Sequence, residues 1–83
     1  MPVIVIKADR IKEEILRRNI TQERFARDVL EVNPSYFSQL LSGRREPGPN
    51  IRQRIMDELR VGFDDLFEIR AGEPVGIAKE RSA

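Results

Sequence analysis

Ser35, Tyr36, Ser38, Gln39 and Ser42 share one side of a helical wheel whose other side carries Phe37 and Leu40. Their side chains end in hydroxyls or an amide, so this face offers hydrogen-bond donors and acceptors without charge. A glutamine amide at the floor of a major groove can address adenine N6 and N7 together. Arg44 and Arg45 follow the helix directly, and Arg17, Arg18, Arg24, Arg27, Arg52 and Arg54 lie to either side in the sequence. Uncharged readers flanked by cations match the usual division of labour between base-edge and phosphate contacts. The bland alternative for Ser35, Ser38 and Gln39 is a merely solvated face. In a chain with 35% charged residues, such a face would ordinarily include Glu or Lys, and this one does not.

The remaining inventory argues against catalysis. There is no histidine and no cysteine, which removes the most frequent general base, the thiolate nucleophile and the soft metal ligands. Glu13 and Glu14 are adjacent, as are Asp64 and Asp65, and neighbours on a helix do not converge on one point. No glycine-rich phosphate loop or metal-ligand spacing occurs. The expectation is a protein that is not an enzyme, with no catalytic residue, no metal, no cofactor and no small-molecule ligand.

Composition sets the frame around that face. The 83 residues, 40% of them hydrophobic, suit one small globular domain with a modest core. No apolar stretch approaches the ~20 residues that span a bilayer, and the opening Met1-Pro2-Val3-Ile4-Val5-Ile6-Lys7 is too short for a secretory signal. A cytoplasmic, nucleoid-associated protein without a membrane partner is expected. The net charge is only +1, but residues 1–56 carry a balance of +4 and residues 57–83 a balance of −3. A basic body with an acidic end suits one side facing a polyanion and another facing away, although ordinary solvated helices would also produce it.

The elements that must hold the polar face can be placed by periodicity. Val3, Ile4, Val5 and Ile6 read as a short strand. Asp9 can cap a first helix with Ile11, Ile15 and Leu16 on one face, ended by Asn19. Thr21 caps a second helix over Thr21–Val29, with Phe25 and Val29 buried and Ala26 small enough for a close helix crossing. Asn33-Pro34-Ser35 is a clear helix start, with a capping Asn followed by a Pro whose missing N–H costs nothing. That third helix stops at Gly43. Pro49 and Asn50 open a fourth helix with Ile51, Ile55 and Leu59 inward. A fifth helical turn spans Phe63 to Leu66, and Phe67 and Ile69 alternate with charges as a half-buried strand should. The two strand segments are expected to pair antiparallel, within one chain or across a dimer. The domain so drawn covers residues 1–71 and leaves 72–83 as a flexible tail.

Thr21-Gln22-Glu23-Arg24-Phe25-Ala26, then Asn33 through Gly43, then Arg44-Arg45-Glu46-Pro47, resembles the Xre/Cro/cI-type helix-turn-helix domains of phage and bacterial repressors. Leu59, Val61, Asp64, Asp65, Leu66 and Phe67 resemble the closing fifth helix of that family, so the likeness covers roughly residues 9–69. It implies a mainly α, five-helix lambda-repressor-like DNA-binding domain, here with a small two-stranded sheet from the chain ends. It further implies sequence-specific binding of double-stranded DNA by a small transcriptional repressor, acting as a homodimer on a palindromic operator. Gln22 would contact phosphate at the start of the second helix. Pro34, Ser35, Ser38 and Gln39 would face bases, Pro34 through an apolar contact only, with Asn33 and Tyr36 beside them. Arg44 and Arg45 would contact backbone phosphate.

One departure stands out. Between Ala26 and Asn33 the chain carries one residue more than the family usually does, and the expected turn glycine is absent. A longer or differently wound inter-helix turn is therefore expected. Leu41 occupies a position that is usually polar, where it would cover the fourth helix or join a dimer contact. The competing reading is an antitoxin-type interaction module that binds a partner toxin and autoregulates its operon, with Glu73-Pro74-Val75-Gly76-Ile77 as the candidate toxin-binding segment.

Overall fold

Four consecutive β-branched residues are costly to leave in water, and a later strand of the chain pairs with them, leaving Ile6 buried and Val3, Ile4 and Val5 partly so. A computed structural model describes residues 2–71; the expected tail over 72–83, with its candidate toxin-binding segment, lies outside the described residues. The order is β1 (Val3–Ile6), α1 (Ala8–Arg17), α2 (Gln22–Arg24), α3 (Pro34–Ser42), α4 (Pro49–Leu59), α5 (Phe63–Leu66) and β2 (Phe67–Arg70). Helix α2 runs directly into a π-helical segment, Phe25–Leu30. Among the described residues the fold is thus mainly helical, with five helices and one small sheet.

The strands pair antiparallel within the chain, with Val3 opposite Arg70 and Ile6 opposite Phe67. Ile6 and Phe67 are buried. Ile69 departs from the expectation of a half-buried strand and is 61% exposed. It lies on the outer edge of the sheet, while its cross-strand partner Ile4 is partly buried against the core. Pairing continues one step past β1, because the Lys7 N–H donates to the Leu66 carbonyl at 2.8 Å. Helix α1 can therefore begin only at Ala8. Lys7 takes the cap position without a side-chain hydrogen bond, and Asp9 falls in the first turn rather than at the cap. There its charge still faces the positive end of the helix dipole.

Ile11 and Ile15 of α1 are buried as expected, but Leu16 is 72% exposed. The third inward position belongs to Glu14, only 9% exposed. Its carboxylate accepts from Arg10 Nη2 at 2.9 Å and from Arg18 Nη1 at 3.0 Å. Arg18 Nη2 also donates to the Leu59 carbonyl at 2.7 Å. The group thus ties α1 to the C-terminal end of α4. Hydrogen bonds from Arg10 and then Arg18 hold the Glu14 carboxyl below the usual glutamate range.

Between Ala26 and Asn33 the chain is wound as a π segment as far as Leu30, and Glu31 N–H reaches back five residues to the Ala26 carbonyl. Wider winding changes which side chains meet the core: Phe25, Ala26 and Leu30 are buried, while Val29 is only partly so. A π spacing of five superposes Phe25 and Leu30, where a regular helix would superpose Phe25 and Val29. Glu31 then turns the chain at φ 59°, with Val32 N–H closing on the Ala26 carbonyl at 2.9 Å. This left-handed conformation, which glycine adopts freely, costs a non-glycine residue about 1 kcal/mol.

Candidate nucleic-acid interface

Helix α3 is positioned from beneath and capped at both ends. Phe37 and Leu40 are fully buried, and the Phe37 ring meets Phe25 of the preceding helix at 5.9 Å with a 45° tilt. Ala26 is fully buried beside them. At the N-terminus the Asn33 Oδ1 accepts from Ser35 N–H at 2.7 Å, and Pro34 occupies the first turn. At the C-terminus Gly43 adopts φ 86°, a backbone conformation that glycine takes without penalty. The chain folds back there, and Arg44 and Arg45 N–H groups donate to the Gln39 carbonyl at 2.9 and 3.3 Å.

That reversal brings together residues far apart in the helix pattern. Arg45 Nε donates to Gln39 Oε1 at 2.8 Å. The Arg45 guanidinium also lies 5.4 Å from the centroid of the Tyr36 ring, within the range of cation–π attraction. Tyr36, Gln39 and Arg45 therefore form one connected polar cluster. Ser35 and Ser38 are exposed on α3, and Pro34 is half-buried at its start. Ser42 Oγ donates to the Gln39 carbonyl at 3.1 Å, closing the last turn. Arg44 is exposed. Gln22 stands apart at the start of α2, where Thr21 Oγ1 accepts from Arg24 N–H at 3.1 Å. Leu41 is buried, in a groove it shares with β1.

Most of the described arginines are engaged by acids or backbone carbonyls, while Arg60, Arg44 and Arg45 have no carboxylate within ion-pair distance. Arg17 pairs with Glu13 at 2.8 Å, Arg27 with Glu23 at 3.0 Å and Arg24 with Asp28 at 3.4 Å. Arg54 donates to the Val29 carbonyl at 3.0 Å, and Arg52 to the Pro47 carbonyl at 3.1 Å. Among the described residues neither Arg44 nor Arg45 pairs with a carboxylate. Their sequence neighbour Glu46 is turned elsewhere: its Oε2 accepts from Ile4 N–H at 2.9 Å. The N-terminal strand thus anchors the α3–α4 loop and diverts the nearest acid from it. Sequence reasoning did not find the Tyr36–Gln39–Arg45 cluster or the Glu46 anchor. The available signal for the first was a helix-ending glycine two residues before an arginine, with Tyr36 and Gln39 one turn apart.

No helix of the described residues is long and apolar enough to cross a membrane. Compared with family models, curated proteins and solved structures, the chain matches none of them.

Proposed function

We propose that this chain binds double-stranded DNA sequence-specifically, as a small transcriptional repressor with a lambda-repressor-like, Xre/Cro-type helix-turn-helix domain, and that it acts as a homodimer on a palindromic operator. One observation carries the reading. The exposed face of α3 is uncharged and polar, and it ends in two arginines without carboxylate partners while the arginines of α1 and α2 are paired. A major groove accommodates such a helix, with the face against base edges and the cations against phosphate.

The cluster refines the roles. Gln39 Oε1 already accepts from Arg45, which leaves the Nε2 donors and one acceptor lone pair for a base. Arg45 keeps its terminal Nη groups, a fork that fits guanine O6 and N7 as well as phosphate. Ser35 and Ser38 add donors and acceptors, Pro34 suits a thymine methyl, and Gln22 with Arg44 contributes backbone contacts.

Selection of bound sites from random duplex DNA tests this. A palindromic consensus is expected, and no enrichment together with no retardation of DNA at low salt would sink the reading. On the selected site Gln39→Ala should cost roughly 1–3 kcal/mol and on unrelated DNA far less. Equal loss on both would remove Gln39 from the readout.

A further inference from the structure

We propose that the free edge of β2 is the self-association surface of this protein, and that a second copy pairs its own Phe67–Arg70 antiparallel to this one across a two-fold axis at Ile69. The two small sheets then become one sheet of four strands. This supplies the interface for the homodimer proposed above and rests on that reading only for the two-fold. The strand geometry does not depend on DNA.

The two edges of the sheet are not alike. On the β1 edge the outward Ile4 N–H is satisfied by Glu46. The same bond fixes the hydrogen-bonding phase. Ile4 points its backbone away from β2, while Lys7 points toward it and bonds Leu66. With Ile4 opposite Ile69 and Val5 opposite Glu68, the alternation of an antiparallel ladder places Glu68 and Arg70 toward β1 and Ile69 outward. Ile69 therefore presents its N–H and C=O on an edge that no other described element covers. Its side chain is 61% exposed, whereas Phe67 on the same strand is 1% exposed. An edge with free backbone groups and an apolar side chain is a template for another strand.

The sequence of β2 says which strand fits. Backbone phase allows a two-fold through Glu68, Ile69 or Arg70. An axis at Glu68 sets two carboxylates directly opposite each other, and an axis at Arg70 sets two guanidinium groups opposite; both are unfavourable. An axis at Ile69 sets Glu68 opposite the partner copy's arginine, in both directions, and brings the two Ile69 side chains together. Glu68 and Arg70 already attract within one chain, at 3.2 Å. In that register the two Ile69 residues exchange both backbone hydrogen bonds, and Ala71 N–H reaches the Phe67 carbonyl of the other copy. The Phe67 N–H is already donated to the Phe63 carbonyl, so the Ala71 carbonyl of the other copy stays with solvent. Backbone phase admits three registers, and charge selects the one at Ile69.

The test measures the mass of the full chain without DNA, by sedimentation from low micromolar to near-millimolar concentration. A monomer–dimer equilibrium is expected. Glu68→Arg or Arg70→Glu alone should weaken it about tenfold, because each puts like charges opposite twice. The exchange of both residues in one chain should restore it. Ile69→Pro removes the outward N–H without touching the bonds to β1 and should also weaken dimerisation, with thermal melts confirming that each variant folds. A chain that stays monomeric throughout, or a dimer indifferent to the single reversals, overturns the proposal, as does a loss that the double exchange fails to recover. A monomer that retards DNA would sink this interface and leave the DNA reading standing. A dimer that depends on β2 but ignores DNA would support the interface and sink the DNA reading.

Discussion

The arginines of α1 and α2 and those following α3 are the same residue type with two different fates. Along α1, α2 and the π segment, carboxylates sit four residues away, so Arg17, Arg24 and Arg27 close on Glu13, Asp28 and Glu23 across one helical turn. After α3 the chain has left the helix, and Glu46, the acid next in sequence to Arg45, accepts from the backbone of β1. Arg45 instead joins Gln39 and Tyr36. A count of basic residues cannot separate these cases. Available positive charge depends on where the acids are held, and here a strand from the other end of the chain decides it.

The most severe break in this contrast is to remove the support beneath α3. Phe37→Ala empties a fully buried site against Phe25 and should cost about 3–5 kcal/mol. In a domain of this size that leaves little native protein at physiological temperature, and a thermal melt checks it. A variant melting within a few degrees of the original would show that α3 is held by something other than the Phe25–Phe37 contact.

A direct comparison of the two arginine groups comes next. Replacing Arg44 and Arg45 together with Ala should weaken binding to all DNA sequences and lower the slope of log affinity against log salt by about two. Replacing Arg24 and Arg27 together should leave that slope unchanged, since their charge is offset locally. Equal slopes for the two double variants would mean that the ion pairs open on the DNA and the contrast does not govern binding.

Smaller effects probe the elements between the two regions. Glu31→Gly relieves a left-handed residue at φ 59°, and the gain is offset in part by the greater freedom of glycine in the unfolded chain. A net stabilisation of up to ~0.5 kcal/mol is expected from denaturant titration. Destabilisation would mean that the Glu31 side chain matters more than its backbone strain.

The last prediction concerns pH. Glu14 is held below the ordinary glutamate range by Arg10 and Arg18, so the folded state favours its charged form. That contribution is present above the unfolded pKa and is lost as pH falls through the lower folded value. Glu14→Gln should therefore melt below the original protein at neutral pH, and the gap should close as the solution is acidified below the glutamate range. A gap independent of pH would assign the effect to packing rather than charge.

By itself the sequence determined the local elements, because their signals act over a few residues. Asn33-Pro34 before an apolar period of three to four, Gly43 after it, and Thr21 ahead of Arg24 each specify a helix end through bonds made within one turn. The antiparallel partnership of Val3–Ile6 with Phe67–Arg70 was also legible, since a β-branched run needs a partner and one other segment alternates suitably. What tertiary structure alone decided has a longer reach. The stretch from Phe25 to Leu30 took up π winding, which turns Phe25, Ala26 and Leu30 to one core. Asp9 lost the cap position because sheet pairing ran on to Lys7. Glu14 could take an inward position because Arg10 and Arg18 satisfy its carboxylate. Arg45 met Gln39 only once the chain had reversed at Gly43 and Glu46 had been drawn to β1. Each of these outcomes turns on groups brought together by the packed fold, and neither residue type nor periodicity records which distant group will arrive first.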